Sequence, residues 1–109
     1  MPDEAARTVA LDDRPWDDEA PGIRSRSEGV QGSRWALVEY APGARREEWC
    51  TEGHRGFVVD GVISYEFDDG HPRIEARAGQ AFLLPGGQGH RGTNLADGPT
   101  RLFLIDDPA

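Results

Sequence analysis

The chain has no lysine. All twelve of its cationic side chains are arginine, set against twenty carboxylates for a formal net charge of −8. That balance argues against a nucleic-acid partner, because phosphate-backbone binding through counterion release needs clustered positive charge. It argues equally against an anionic membrane surface. There is a single cysteine, Cys50, which excludes an internal disulfide and fits a reducing compartment. No apolar run approaches the roughly eighteen residues that span a bilayer. The first residues, Met1 to Arg7, are charged and no apolar stretch follows, so no secretory signal is expected and the expected location is cytoplasmic. Helical periodicity is missing as well.

What is abundant is glycine and proline, 14 and 8 residues, as tight turns between short strands require. Thr8–Leu11 is a candidate short strand, and Asp17–Glu19 reads as an acidic surface turn anchored by Trp16. Ile23–Ser27 reads as an edge strand that ends in a Glu28–Ser33 loop. Arg34–Tyr40 is a strand closed by Ala41-Pro42-Gly43. Phe57–Val59, Asp60-Gly61 and Val62–Phe67 read as a hairpin with an Asp-Gly turn. Arg73–Ala76, Gln80–Leu84 and Thr100–Ile105 complete the set. Strands every eight to twelve residues predict an all-β sandwich or barrel. The length supports one domain: residues 1–33 form an N-terminal strand and turn region packing on a barrel core at residues 34–109. Tyr65, Phe67, Trp35 and Tyr40 are expected in the core or lining the barrel.

The richest stretch is Gly79–Asn94, GQAFLLPGGQGHRGTN. An apolar strand stops at Pro85, which has no N–H for a ladder. Gly86, Gly87 and Gly89 then allow a tight turn with positive φ, and His90 leaves that turn. His54 likewise stands beside a glycine at a strand start. Each histidine can be read as a structural residue or as a functional one, and the residues alone leave both open. His71, in Asp-Gly-His-Pro, reads as a solvated turn residue. Asn94 reads as a turn stabiliser. Arg55 and Arg91 each follow a candidate histidine and should face away from it, whereas Arg101 could approach the site.

These residues carry a resemblance. Gly79, Pro85, Gly87, His90 and Asn94 match the second cupin motif, G-x5-P-x-G-x2-H-x3-N, at every defined position. The first motif, G-x5-H-x-H-x3,4-E-x6-G, is matched in part. Gly61 resembles its closing glycine, Gly43 its opening one, and His54 then stands where the motif has Glu. The places of its His-x-His pair fall on Glu48 and Cys50 with the shorter spacer, or on Glu47 and Trp49 with the longer one. The resemblance implies an antiparallel jelly-roll (cupin) β-barrel, a homodimer, and a divalent metal in the barrel mouth. The metal could be Zn, Fe, Ni, Co or Mn, held by His54, His90, Cys50 and Glu48. All three residue types can ligate such an ion. If Cys50 and Glu48 share a strand, alternation puts them on one face. Against this, Glu47 and Glu48 follow Arg45 and Arg46 and read equally as a solvated charge run. Cys50 reads equally as a small buried residue.

Three functions follow as expectations. The first is a metal-binding cupin that binds or acts on a small organic molecule; as an enzyme it would be a metal-dependent dioxygenase, isomerase or lyase. The second is a non-catalytic sensor of a small ligand or metal. The third is a metal-free isomerase or epimerase with His54 or His90 as general base. Gly86–Gly89 lacks the helix and lysine of a phosphate-cradling loop, and no nucleophile–His–acid triad is recognisable in the sequence.

Overall fold

The structure is a computed structural model and describes residues 5–106. The turn-rich sequence gives nine strands there: β1 (Asp17–Ala20), β2 (Ile23–Val30), β3 (Ser33–Tyr40), β4 (His54–Asp60), β5 (Val62–Phe67), β6 (Ile74–Arg77), β7 (Ala81–Leu84), β8 (His90–Thr93) and β9 (Thr100–Asp106). They form two antiparallel sheets, one ordered β1-β2-β3-β9-β4-β7 and the other β6-β5-β8. Ile23, Val38, Val58 and Leu102 from the larger sheet meet Ile63, Tyr65 and Ala76 from the smaller in one core. Each fully buried Val, Ile or Leu contributes about 1.5–3 kcal/mol. This is the expected jelly roll, built as two facing sheets whose ladders do not close into a single barrel.

Alternation decides what faces the interior. In β9, Thr100, Leu102, Leu104 and Asp106 are buried, while Arg101, Phe103 and Ile105 point outward. The same period puts Ala36, Val38 and Tyr40 of β3 inside. Trp35 is therefore on the outer face, edge-on to Phe103 at 5.9 Å, and not in the core. Tyr40 and Tyr65 are buried and Phe67 packs against the core, as expected.

Several segments differ from their sequence reading. β2 runs on to Val30 and lies between β1 and β3, so it is not an edge. Its hairpin turns on Gln31-Gly32, both at positive φ (51° and 81°), the geometry that matches strand twist. Glutamine in the first of those positions hides the signal. Asp17–Glu19 belongs to edge strand β1, although Trp16 does anchor it, carrying the Arg24 and Arg26 guanidiniums at 3.9 and 4.1 Å from its ring centroid. Thr8–Leu11 forms no strand; a 3-10 turn occupies Leu11–Asp13.

The Asp60-Gly61 hairpin is also absent. β4 pairs with β7 and β9, β5 with β6 and β8, and Gly61 carries the chain from one sheet to the other. Its φ is 87°, and a Cβ there would overlap Thr100 Oγ1 and the Pro99 carbonyl. A one-residue corner of this kind admits only glycine.

Candidate metal centre in the barrel mouth

His90 is presented much as its flanking sequence suggests. Pro85 ends β7, and the turn is fastened by the Gly87 N–H to the Thr51 carbonyl at 2.9 Å. Of the three turn glycines only Gly87 takes a positive φ, 87°. Gly89 serves another need: a Cβ on it would run into the Asp68 carboxylate. Four residues on, Asn94 is fully buried and holds the loop after β8. Its Nδ2 donates to the carbonyls of Tyr40, Ala41 and Gly98, and its Oδ1 accepts from the Ala96 N–H and the Thr100 hydroxyl. Asn94 is the turn stabiliser that was expected.

Cys50 is brought to His90 by an antiparallel bridge, each residue donating its N–H to the other's carbonyl at 2.9 Å. The segment before it bridges again at Arg45 to Thr93. Between the two bridges, four residues on that side therefore face two on β8, and the excess forms a bulge. The bulge breaks the alternation that would have aligned Glu48 with Cys50. Glu48 is exposed and lines the cavity from its rim, apart from the group around Cys50.

His54 opens β4, directly opposite Asp106 at the end of β9. Its Nδ1 lies 2.7 Å from Asp106 Oδ1, and its Nε2 lies 3.6 Å from Cys50 Sγ. The His54 and His90 rings meet edge to face at 4.9 Å between centroids. One donor atom each from Cys50, His54 and His90 lies within 4.8 Å of the others, Cys50 and His54 standing four residues apart and His90 joining them from β8. The surrounding cavity has a volume of about 430 Å³, with Tyr40, Tyr65, Trp49 and Arg46 among its walls.

Two observations show that this donor set suits a divalent ion. Metal bonds of about 2.3 Å to sulfur and about 2.0 Å to nitrogen at a tetrahedral angle put those two atoms about 3.5 Å apart, close to the Cys50–His54 spacing of 3.6 Å. The buried His90 Nδ1 makes no well-aligned hydrogen bond, although the Gln88 backbone is close enough to act on the ring, and a poorly satisfied buried nitrogen is free to engage an ion. Burial first, and then the neighbouring His54, push the His90 imidazole down to about 4, so at neutral pH it is uncharged, the form that ligates. Asp106 is opposed by burial, yet donation from His54 and Arg34 holds its carboxyl below the usual range. Burial raises Tyr40 and, more strongly, Tyr65, so both stay protonated phenols.

The remaining sequence candidates fall elsewhere. Arg101 pairs with Glu39 at 3.1 Å at the other end of β9, away from the site. Arg91 turns back toward the rim, where its guanidinium stacks 4.1 Å from the Trp49 ring centroid and pairs with Glu66. His71 is exposed in its turn, edge-on to Phe67. Asp106 and Arg34 were missed. The signal was available for Asp106, since the inward set Thr100, Leu102, Leu104 ends on a carboxylate.

The comparisons with known proteins bear on the fold that carries this site. The cupin-domain family model matches residues 36–106. A search of curated protein sequences returned no match. Among solved structures, KdgF from Halomonas sp. is 18% identical over 96% of each chain with a TM-score of 0.74. An RmlC-like cupin from Shewanella frigidimarina is 16% identical over 96% of this chain and 93% of its own, TM-score 0.76. A sugar phosphate isomerase of the cupin superfamily from Silicibacter pomeroyi is 18% identical over 94% and 76%, TM-score 0.73. At these identities the likeness is one of fold. With both sheets and the second motif in place, and the family match spanning β3 to β9, the chain belongs to the cupin family.

Proposed function

We propose that this chain is a small metal-binding cupin that holds one divalent ion on Cys50, His54 and His90 and receives a small organic molecule beside it. The observation that carries the reading is the convergence of those three donors within 4.8 Å at the wall of a cavity. A thiolate with two imidazoles favours Zn(II), Co(II) or Ni(II) over Mn(II), which prefers oxygen. Three protein donors leave a position open, as catalytic rather than structural zinc sites do. Bound there, the ion would supply Lewis acidity toward an oxygen of the small molecule.

The protein's own groups divide the remaining work. The Tyr40 and Tyr65 phenols are neutral at physiological pH, and Arg46, paired with Glu19 at 3.1 Å, adds a fixed charge to the wall. Trp49 and Arg91 form a stacked rim. Glu48 on this reading is a wall residue facing the incoming molecule. The solved relatives include a sugar phosphate isomerase, so turnover of a small polar substrate is one outcome and ligand sensing without turnover the other.

A second reading is favoured by one contact. The 2.7 Å bond from His54 to Asp106 would also orient an imidazole as a metal-free general base. Metal analysis of untagged protein separates the two. The proposal expects one metal per chain, lost in His54→Ala and His90→Ala and weakened in Cys50→Ser. Metal content unaffected by His90→Ala overturns it. Protein free of metal after zinc reconstitution would favour the general base.

The same reading takes a second copy of this chain as partner. On the larger sheet's outer face, Leu37, Phe103 and Phe57 stand in register across β3, β9 and β4. Phe57, Val59 and Leu83 are exposed there at 42%, 45% and 67%. The charges beside these residues on that face, Arg24, Glu39 and Arg101, are paired with one another, so two copies can meet on its apolar part without setting unpaired carboxylates together.

A further inference from the structure

Asp106 is buried, 8% exposed, at the last position of β9. Its neighbours across the sheet are Arg34 on β3 and His54 on β4, so three adjacent strands set Arg34, Asp106 and His54 in one row. Each oxygen of the carboxylate is committed to a different donor. Oδ2 accepts from Arg34 Nη1 at 3.0 Å, and Oδ1 faces His54 Nδ1 at 2.7 Å. Arg34 is itself fixed by a bond from Nη2 to the Ser25 hydroxyl at 3.0 Å. The carboxylate lies outside the three-donor group, so it is no ligand in this arrangement.

We propose that Asp106, braced by Arg34, is the positioning residue of the metal centre: it holds His54 as the Nδ1–H tautomer and so directs Nε2 at the ion. The inference rests on the metal-binding reading above and adds to it a residue outside both cupin motifs. An ionised carboxylate can only accept, so the proton of the short contact belongs to His54 Nδ1. The lone pair then lies on Nε2, the atom facing Cys50 Sγ. A ring held in this way loses no rotational freedom on binding and is a stronger base toward the ion.

The first readout needs neither metal nor variant. Nitrogen-15 NMR of the metal-free wild type is expected to show His54 predominantly as the Nδ1–H tautomer; a predominant Nε2–H tautomer overturns the proposal. The second readout is zinc affinity by competition with a chromophoric chelator. Asp106→Ala is expected to bind about 10- to 100-fold more weakly, with stoichiometry still one per chain and His54 shifted toward a mixture of tautomers. Asp106→Asn, which keeps an acceptor oxygen and the shape, should fall between and serves if the alanine variant does not fold. Affinity in both variants within about twofold of wild type overturns the positioning role. A wild type that binds no zinc sinks the metal reading instead, and the tautomer then decides whether Asp106 orients His54 at all.

Discussion

Cys50 gives the site a sulfur donor where the first cupin motif would supply imidazole. Its consequence is spectroscopic as well as energetic. Cobalt-loaded wild type should show a sulfur-to-cobalt charge-transfer band in the near ultraviolet that Cys50→Ser abolishes, with a loss of about tenfold or more in affinity. A band unchanged in the serine variant would place the thiol outside the shell. His90 makes a different prediction. Between the ordinary value of 6.5 and the folded value of about 4, the unfolded chain takes up a proton that the folded chain refuses. The metal-free protein therefore has its full stability above about pH 6.5 and loses on the order of 2 kcal/mol through this group as pH falls toward about 4. Urea titrations at about pH 7 and about pH 4.5 should show a smaller loss in His90→Gln. An equal loss in both proteins would assign the acid sensitivity to other groups.

At the scale of elements, corners matter more than strand interiors. Gly61→Ala must force a non-glycine residue to a φ of 87° and drive a Cβ into Thr100, whose hydroxyl bonds both the N–H and the carbonyl of Val62. The expected loss is about 2–4 kcal/mol by urea denaturation, and a loss below about 1 kcal/mol would show that the corner yields. Asn94→Ala, stripping a buried amide of five hydrogen bonds, should cost a similar amount. These corners also explain what could be read in advance. The turn before His90 and the amide of Asn94 are local, encoded by Pro85, Gly87 and the spacing between them, and both stand as read. The sheet change at Gly61 was illegible because Asp-Gly signals a hairpin equally well, and which sheet takes β5 is decided by packing. Glu48 and Cys50 were separated by a bulge that exists only because Arg45 and Cys50 both bridge to β8. Asp106 lay in plain alternation, yet its meaning depends on His54, 52 residues away.

On the scale of the whole molecule, the dimer proposed for the outer face of the larger sheet can be tested apart from the mouth. Sedimentation velocity at micromolar concentration should give a dimer, converted to monomer by Leu83→Glu combined with Phe57→Glu, with metal content unchanged. A wild type that sediments as a monomer would remove the proposed partner without touching the site. The mouth itself depends on both sheets, since His54 and Asp106 come from the larger and His90, with the bridged Cys50, from the smaller. What this jelly roll achieves is to bring one sulfur and two nitrogens to a single point. X-ray absorption on the zinc-loaded protein tests that most directly. The account predicts one sulfur at about 2.3 Å and two imidazole nitrogens at about 2.0 Å; a shell of nitrogen and oxygen alone would contradict it.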